Sequence, residues 1–137
     1  MKELTYDEGD SFVSKELSIV NQLITDSKKE LDYYKDTNTI SFGIQATEKL
    51  WGVLAHIIRL NQYLMGYRLP KTHGDNILYM KNLVTEREII ELRKRANLMH
   101  KRFYTANFNY DDLIADYNYV LRKKNEYINK IKMKWKK

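Results

Sequence analysis

The chain has 137 residues, enough for one domain with its own core and too few for two ordinary domains. It contains no cysteine, which excludes disulfides, thiolate metal sites and a cysteine nucleophile. Five glycines and one proline are too few turn-forming residues for a sandwich or barrel of many short strands. Lysine and arginine total 24 against 18 acidic residues, and this net charge of +6 raises the question of a nucleic-acid partner.

The excess charge is concentrated at the C-terminus. Residues 121–137 hold eight basic residues and one acid, so this segment carries +7 and the rest of the chain about −1. Such a segment is typical of a solvated helix end, where cations complement the helix dipole, or of a surface that binds nucleic acid or acidic lipid. Its candidate phosphate-binding residues are Lys130, Lys132 and Lys134.

No apolar run approaches the roughly 18 residues that a membrane span needs. The first ten residues are acidic and lack the apolar core of a signal peptide. We therefore expect a soluble, cytoplasmic protein that does not interact with a membrane.

Apolar residues recur three and four positions apart through most of the chain, which predicts helices. The first stripe runs from Val13 to Tyr34, with Ser27 inside it, and ends at the polar cluster 36–39. The second runs from Ala46 to Leu64. Residues 66–75 contain two glycines and the only proline and predict a loop, followed by a short helix over 76–84.

Thr85 and Glu88 have the spacing of a capping box, which predicts a third long helix. Asn109 is a suitable cap for the last one. The third stripe contains Ile89, Leu92, Ala96, Met99 and Phe103, and the last contains Ile114, Tyr117, Leu121, Ile128, Ile131 and Trp135. Together these patterns predict an all-α fold: one domain, 1–137, forming an up-and-down bundle of four long helices and one short helix.

Most signatures of enzymes are absent from the sequence. There is no glycine-rich phosphate loop, no nucleophile elbow and no H-E-x-x-H or Glu-x-x-His pair. The three histidines lie in different predicted elements, so their spacing does not support a metal site. We expect neither a metal nor a cofactor.

The candidate chemistry lies on the third long helix, where Arg95 precedes His100 by five positions. At about 100° per residue the two side chains lie roughly 140° apart, on either side of the stripe of Leu92, Ala96 and Met99. They cannot meet within one straight helix, but a two-fold dimer built on that stripe would bring Arg95 of one copy near His100 of the other.

Such a pair suits RNA cleavage without a metal. Histidine exchanges protons near neutral pH, arginine stabilises charge on phosphate, and the RNA 2′-hydroxyl supplies the nucleophile. The alternative is that Arg95 belongs to a solvated basic face and that His100 is a packing residue. The further candidates for binding RNA or phosphate on this helix are Arg93, Lys94, Asn97, Lys101, Arg102 and Tyr104.

The second long helix carries a polar face that contains Glu48 and His56. These residues are candidates for supporting acid–base chemistry, although a water-facing surface is the simpler interpretation. Gly52 lies in the same helix, where glycine costs about 1 kcal/mol relative to alanine, and this predicts close approach by another helix.

Two blocks of the sequence resemble the archaeal PaREP-like branch of the HEPN superfamily. They are QATEKLWG at 45–52, and RANLMH at 95–100 followed by Phe103 and Tyr104. The resemblance implies a helical bundle that forms homodimers, with Arg95 as the phosphate-stabilising residue and His100 as the proton-transfer residue at the cleft between protomers. It implies a metal-independent endoribonuclease of toxin–antitoxin type, with a nucleotidyltransferase-like antitoxin as partner. Because other HEPN domains are non-catalytic, a dimeric module that binds RNA or nucleotides at this cleft without cleaving them is a further expectation. An oligomerisation or protein-interaction module remains the alternative.

Overall fold

A computed structural model of the chain describes residues 6–64 and 85–134, and these form four helices. They are α1 (Tyr6–Thr37), α2 (Ile40–Leu64), α3 (Glu86–Thr105) and α4 (Tyr110–Lys134). No strand occurs in these two ranges, so the all-α prediction is confirmed. The predicted loop at 66–75, the predicted short helix at 76–84 and Trp135 lie outside the described residues.

Local chemistry sets most helix ends where the sequence predicts them. The hydroxyl of Thr85 accepts a hydrogen bond from the backbone N–H of Glu88 at 3.2 Å, which caps α3. At the start of α4, Asn109 and Asp112 cap each other: each backbone N–H donates to the other's side-chain oxygen, at 2.8 and 3.1 Å. α1 begins at Tyr6, before the first residue of its predicted stripe, Val13.

Two tight turns make two helix hairpins. Asn38 and Ala106 adopt left-handed backbone conformations, with φ of 54° and 53°, and their N–H groups bond back to Tyr34 and Arg102. Cross-helix ion pairs show that the α1–α2 hairpin is antiparallel: Glu30 pairs with Lys49 near the turn and Glu16 with His56 far from it.

The main core forms where α2 packs against the other three helices. The buried apolar residues of α2 supply much of it, and Leu92, Ala96 and Met99 of α3 are buried against them. A second, smaller cluster lies near the two turns, where Leu31, Tyr34, Ala46 and Leu113 are buried. None of the described helices combines the length and the apolar character that a bilayer span requires.

The burial of the α3 stripe corrects one expectation. Leu92, Ala96 and Met99 are at most 6% exposed within a single copy of the chain, because α3 packs against α2 along this stripe. These residues are already covered and cannot also form a two-fold interface. The dimer that places Arg95 opposite His100 across this stripe is therefore wrong.

The buried face of α4 also differs from the predicted one. Its centre is Leu113, Val120 and Tyr127, all at most 1% exposed, whereas the predicted Ile114, Tyr117 and Leu121 are only partly buried. The prediction followed apolar residues alone, but this face includes two polar side chains. The first half of the helix is rotated by about one residue from the predicted orientation, whereas the predicted Ile128 and Ile131 of its second half are buried; the two buried polar residues are Asp116 and Lys123.

Two glycines in α2 lie against side chains of other elements. A Cβ at Gly52 would stand 3.2 Å from Leu23 of α1, which agrees with the predicted close approach of a second helix. A Cβ at Gly43 would overlap the Phe108 ring, which reaches α2 from the α3–α4 turn. Gly43 therefore leaves the space into which Phe108 packs.

Candidate functional site

Asp116 is the centre of a closed ion cluster between α3 and α4. Its side chain is 0% exposed, and Arg95 Nη1 donates to Asp116 Oδ1 at 2.9 Å. Arg102 donates to the other carboxylate oxygen and also to the backbone carbonyl of Asp112 at 3.2 Å. A buried carboxylate is tolerated when it is paired in this way, so the cluster joins the two helices.

Arg95 is occupied on a second side by an aromatic ring. Its guanidinium carbon lies 4.7 Å from the centre of the Tyr119 ring, in cation–π geometry. Burial raises the pKa of the Tyr119 hydroxyl above its usual value, although the nearby Arg95 charge opposes this rise. The predicted catalytic arginine is thus held by Asp116 and Tyr119 within its own chain.

His100 lies on a different side of α3 from Arg95, as the helical geometry predicts. It lines a groove of about 570 Å³ between α2 and α3, called the groove below. The α2 wall includes Glu48, Gly52 and His56, and the α3 wall includes His100 and Tyr104. The structure therefore brings His100 together with both predicted supporting residues and separates it from Arg95.

His56 is only partly exposed, whereas the sequence suggests a water-facing residue. Its Nδ1 lies 2.6 Å from Oε2 of Glu16, an α1 residue whose side chain is only 5% exposed. Arg59 approaches the other oxygen of Glu16, with Nε 3.6 Å from Oε1. His56 itself is 27% exposed and lines the groove, so one imidazole joins a buried carboxylate to a ligand-sized space.

Six of the predicted α3 residues form one exposed face beside the groove. They span an arc of roughly 120° around the helix. We call this surface the basic face, and it consists of Arg93, Lys94, Asn97, His100, Lys101 and Tyr104. Among the residues that the structure describes, no carboxylate lies within ion-pair distance of Arg93, Lys94 or Lys101. Arg95 and Arg102, the two remaining α3 candidates, bind Asp116 instead.

The basic residues of α4 are less available than their number suggests. Lys123 is buried and pairs with Glu126 at 3.5 Å. Lys130 lies 3.8 Å from both Glu88 and Glu126. Lys132 is exposed, whereas the side chain of Lys134 lies outside the described residues. The C-terminal charge is thus partly neutralised within the bundle.

Sequence reasoning missed Glu16 and Asp116, the two acids around which these sites are built. Each stands inside an apolar stripe: Glu16 follows Val13 by three and precedes Val20 by four, and Asp116 has the same spacing from Leu113 and Val120. An acid at such a position is a recognisable signal, because it must be buried with a partner if the helix packs on that face.

In the two described ranges, no three His, Asp or Glu side chains are grouped so as to hold a metal ion. The described surface has two features that could bind a ligand: the groove lined by His56 and His100, and the basic face next to it. No protein-family model, no curated protein and no solved structure matches the chain.

Proposed function

We propose that the chain is an RNA-binding helical module of the HEPN type, and that RNA phosphates contact the basic face beside the groove. The observation that carries the proposal is the exposure of Arg93, Lys94 and Lys101 on one side of α3, with no carboxylate of the described residues paired to them. Unpaired cations on one rigid helix attract a phosphate backbone and release its counterions on binding.

The other members of the basic face suit single-stranded RNA. Tyr104 is 72% exposed and stands edge-on to His100, with ring centres 4.6 Å apart. An exposed aromatic ring next to cations can stack on an unpaired base, and the Asn97 amide offers both a donor and an acceptor. Single strands present unstacked bases to such side chains, whereas a regular RNA duplex does not.

The proposal retains the up-and-down bundle, a second copy of the chain and a nucleotidyltransferase-like antitoxin, which the family resemblance implies. The second copy must use a surface other than the Leu92, Ala96 and Met99 stripe, because α2 covers that stripe. The alternative is an interaction module without RNA affinity. Ile90 and Leu98 favour it, because both are large apolar side chains that α3 leaves exposed.

Filter binding of a labelled single-stranded RNA at several salt concentrations tests the proposal. The test variant is Arg93→Gln, Lys94→Gln and Lys101→Gln combined. The matched control is Lys15→Gln, Lys29→Gln and Lys35→Gln, which removes the same charge from exposed positions of α1. We expect the test variant to bind about 10-fold or more weakly, with a salt slope shallower by up to ~2, because each lost phosphate contact reduces the slope by about 0.7.

The control variant should bind like the wild type within about 2-fold, since its changes lie on another helix. Equal losses in the two variants would mean that only total charge matters, and the basic face would be rejected as the binding surface. If the wild type shows no salt-sensitive RNA affinity, the proposed function is wrong and the interaction module takes its place.

A further inference from the structure

Glu48 is an exposed carboxylate in the wall of the groove. It lies on α2 and lines the groove together with Trp51 and Gly52. In the two described ranges, no lysine, arginine or histidine side chain lies within ion-pair distance of its oxygens. The Glu48 carboxylate is therefore open to a hydrogen-bond donor of a bound ligand.

The basic side chains of α2 that line the groove are bound to α1 instead. Lys49 follows Glu48 directly, but its Nζ lies 2.8 Å from Oε1 of Glu30. His56 is bound through Nδ1 to a buried α1 carboxylate at 2.6 Å. One turn after Glu48 stands Gly52, which has no side chain that could bind the carboxylate. The packing of α1 on α2 thus leaves a hydrogen-bond acceptor unpaired next to the basic face.

Aromatic side chains lie beside this carboxylate. Trp51 is three residues after Glu48 on α2, a spacing that places their Cβ atoms about 5–6 Å apart, and its partly exposed indole lines the groove. This placement belongs to one helix and does not depend on the separation of the two walls. On the α3 wall, Phe103 is half-buried and Tyr104 is 72% exposed, with ring centres 5.3 Å apart. The groove therefore combines stacking surfaces with a carboxylate.

These groups suit a planar base with two adjacent N–H donors. An ionised carboxylate is only an acceptor, and its two oxygens can accept two parallel N–H bonds. Among the RNA bases, only guanine has two adjacent donors, N1–H and N2–H, on its Watson–Crick edge. Adenine and cytosine place a ring-nitrogen lone pair next to their amino group, and uracil places a carbonyl on either side of N3–H. Each of these three bases would bring an acceptor against the carboxylate, which costs binding free energy.

We propose that the groove binds a guanine base of single-stranded RNA and that Glu48 is the residue that selects it. This selection rests on the RNA binding proposed above. His100 and Tyr104 belong to both the basic face and the groove, so a strand whose phosphates contact the basic face passes along the edge of the groove. The groove measures about 570 Å³, within the usual range of about 300–1,000 Å³ for small-molecule sites. An unstacked guanine enters it, stacks on an aromatic ring and donates to Glu48.

Filter binding of short labelled oligouridines that differ in one central base tests the selection. The central base is guanine, hypoxanthine, adenine, cytosine or uracil. The wild-type chain should bind the guanine probe about 10-fold or more tightly than the adenine, cytosine and uracil probes, as is typical of a bidentate contact to a base. Hypoxanthine lacks only the N2 amino group of guanine, so it retains the stacking surface and should lose most of the preference.

Glu48→Ala is the test variant, and Glu91→Ala is its matched control. Both remove one carboxylate from an exposed helix position, and Glu91 does not line the groove. Glu48→Ala should bind the guanine and uracil probes within about 2-fold of each other, because alanine has no acceptor. Its affinity for the uracil probe should match that of the wild type or exceed it by up to ~3-fold, since a charge that repels phosphate is gone. Glu91→Ala should keep the full preference for guanine.

The outcomes separate the base selection from the RNA binding on which it rests. A wild type that binds all five probes equally would overturn the selection and leave the basic face as an RNA-binding surface. A guanine preference that persists in Glu48→Ala, or that is lost equally in Glu91→Ala, would also overturn it. Equal affinity for hypoxanthine and guanine would contradict the two-donor contact. If no probe binds with salt-sensitive affinity, the proposed function is wrong and the guanine selection is rejected with it.

Discussion

Glu16 in the α1–α2 hairpin and Asp116 in the α3–α4 hairpin stand at equivalent positions of their helices, three residues after one buried or partly buried apolar residue and four before another. Both carboxylates are nearly or fully buried, and both bind cationic side chains of the neighbouring helix. The partners differ. Asp116 holds two arginines that are always charged, whereas Glu16 holds a histidine that can gain or lose a proton.

The partners of the two carboxylates also differ in whether they line the groove. The Asp116 cluster is closed by Tyr119 and the Asp112 backbone, and neither Asp116 nor its arginines line the groove. The Glu16 pair ends at the groove through His56. A buried acid in a helix stripe can therefore serve either to join two helices or to orient a group at a site. The type of cation and its access to a ligand decide which.

The largest expected effect is the removal of the Asp116 carboxylate. Asp116→Ala leaves Arg95 and Arg102 without their shared partner, and breaking a buried pair in this way typically costs about 3–5 kcal/mol. The free energy of unfolding, measured by urea denaturation, should fall by about 3 kcal/mol or more. Asp111→Asn, at an exposed position in the first turn of the same helix, should cost no more than about 1 kcal/mol.

Removal of the Glu16 carboxylate should lower the free energy of unfolding less than removal of the Asp116 carboxylate does. Glu16→Ala leaves His56, which can become neutral, and Arg59, which is partly exposed, so we expect a loss of ~1–2 kcal/mol. If Glu16→Ala proves as destabilising as Asp116→Ala, the two acids serve the same structural purpose. The distinction between a closed cluster and an oriented imidazole would then be lost.

Two glycine variants compare how tightly the α3–α4 turn and α1 pack against α2. Gly43→Ala places a Cβ too close to the Phe108 ring, so the ring or the α3–α4 turn that carries it must shift. Overpacking of this kind costs about 1–3 kcal/mol, and we expect a net loss of ~1 kcal/mol or more by thermal or urea denaturation.

At Gly52 the contact is 3.2 Å from the end of a flexible leucine, Leu23, in α1. The gain of about 1 kcal/mol from alanine in a helix should offset this contact and leave Gly52→Ala within ~1 kcal/mol of the wild type. A larger loss for Gly52→Ala than for Gly43→Ala would contradict the view that the Phe108 contact is the tighter one.

The smallest effect at neutral pH is expected for Tyr127→Phe. Tyr127 is 1% exposed, and its hydroxyl has no hydrogen-bond partner among the described residues. Phenylalanine has nearly the same shape, so the free energy of unfolding should stay constant or rise by up to ~1 kcal/mol. Tyr33→Phe, at an exposed position, is the control and should change it by less than ~0.5 kcal/mol.

Tyr127→Phe should also change how the free energy of unfolding depends on pH. Burial raises the pKa of the Tyr127 hydroxyl, so the folded state keeps its proton above pH ~10, where an unfolded tyrosine loses it. Loss of this proton therefore favours the unfolded state, and the free energy of unfolding falls as the pH rises above ~10. Tyr127→Phe should lose less stability than the wild type above pH ~10. Parallel losses in the two proteins would show that Tyr127 is solvated.

Much of the fold was predictable because it depends on local chemistry. The polar end of α1, the Thr85 and Asn109 caps and the stripe from Ile89 to Met99 depend on neighbours a few residues away. The buried face in the first half of α4 was not, because Asp116 lies on it and apolar periodicity alone assigns polar residues to the outside. Ion pairing to another helix overrides that rule.

The candidate site was predictable only in its parts. The sequence identifies His100, His56 and Glu48 as residues capable of chemistry, and the basic residues of α3 as candidates for phosphate. It pairs His100 with Arg95 because they are close along the chain, and it does not connect His56 with Glu16, which is 40 positions away. Contacts at that separation depend on how α1 packs on α2.

The sequence by itself determines the helical class, the ends of most described helices and the side of α3 that is basic. Each of these depends on periodicity and capping within a few turns. Only the tertiary structure decided that Arg95 is bound to Asp116, that Glu16 holds His56, and that His56 and His100 line one groove. The physical reason is that a buried charge must find its partner wherever packing brings one, so the packing of the helices determines which side chains remain available for a ligand.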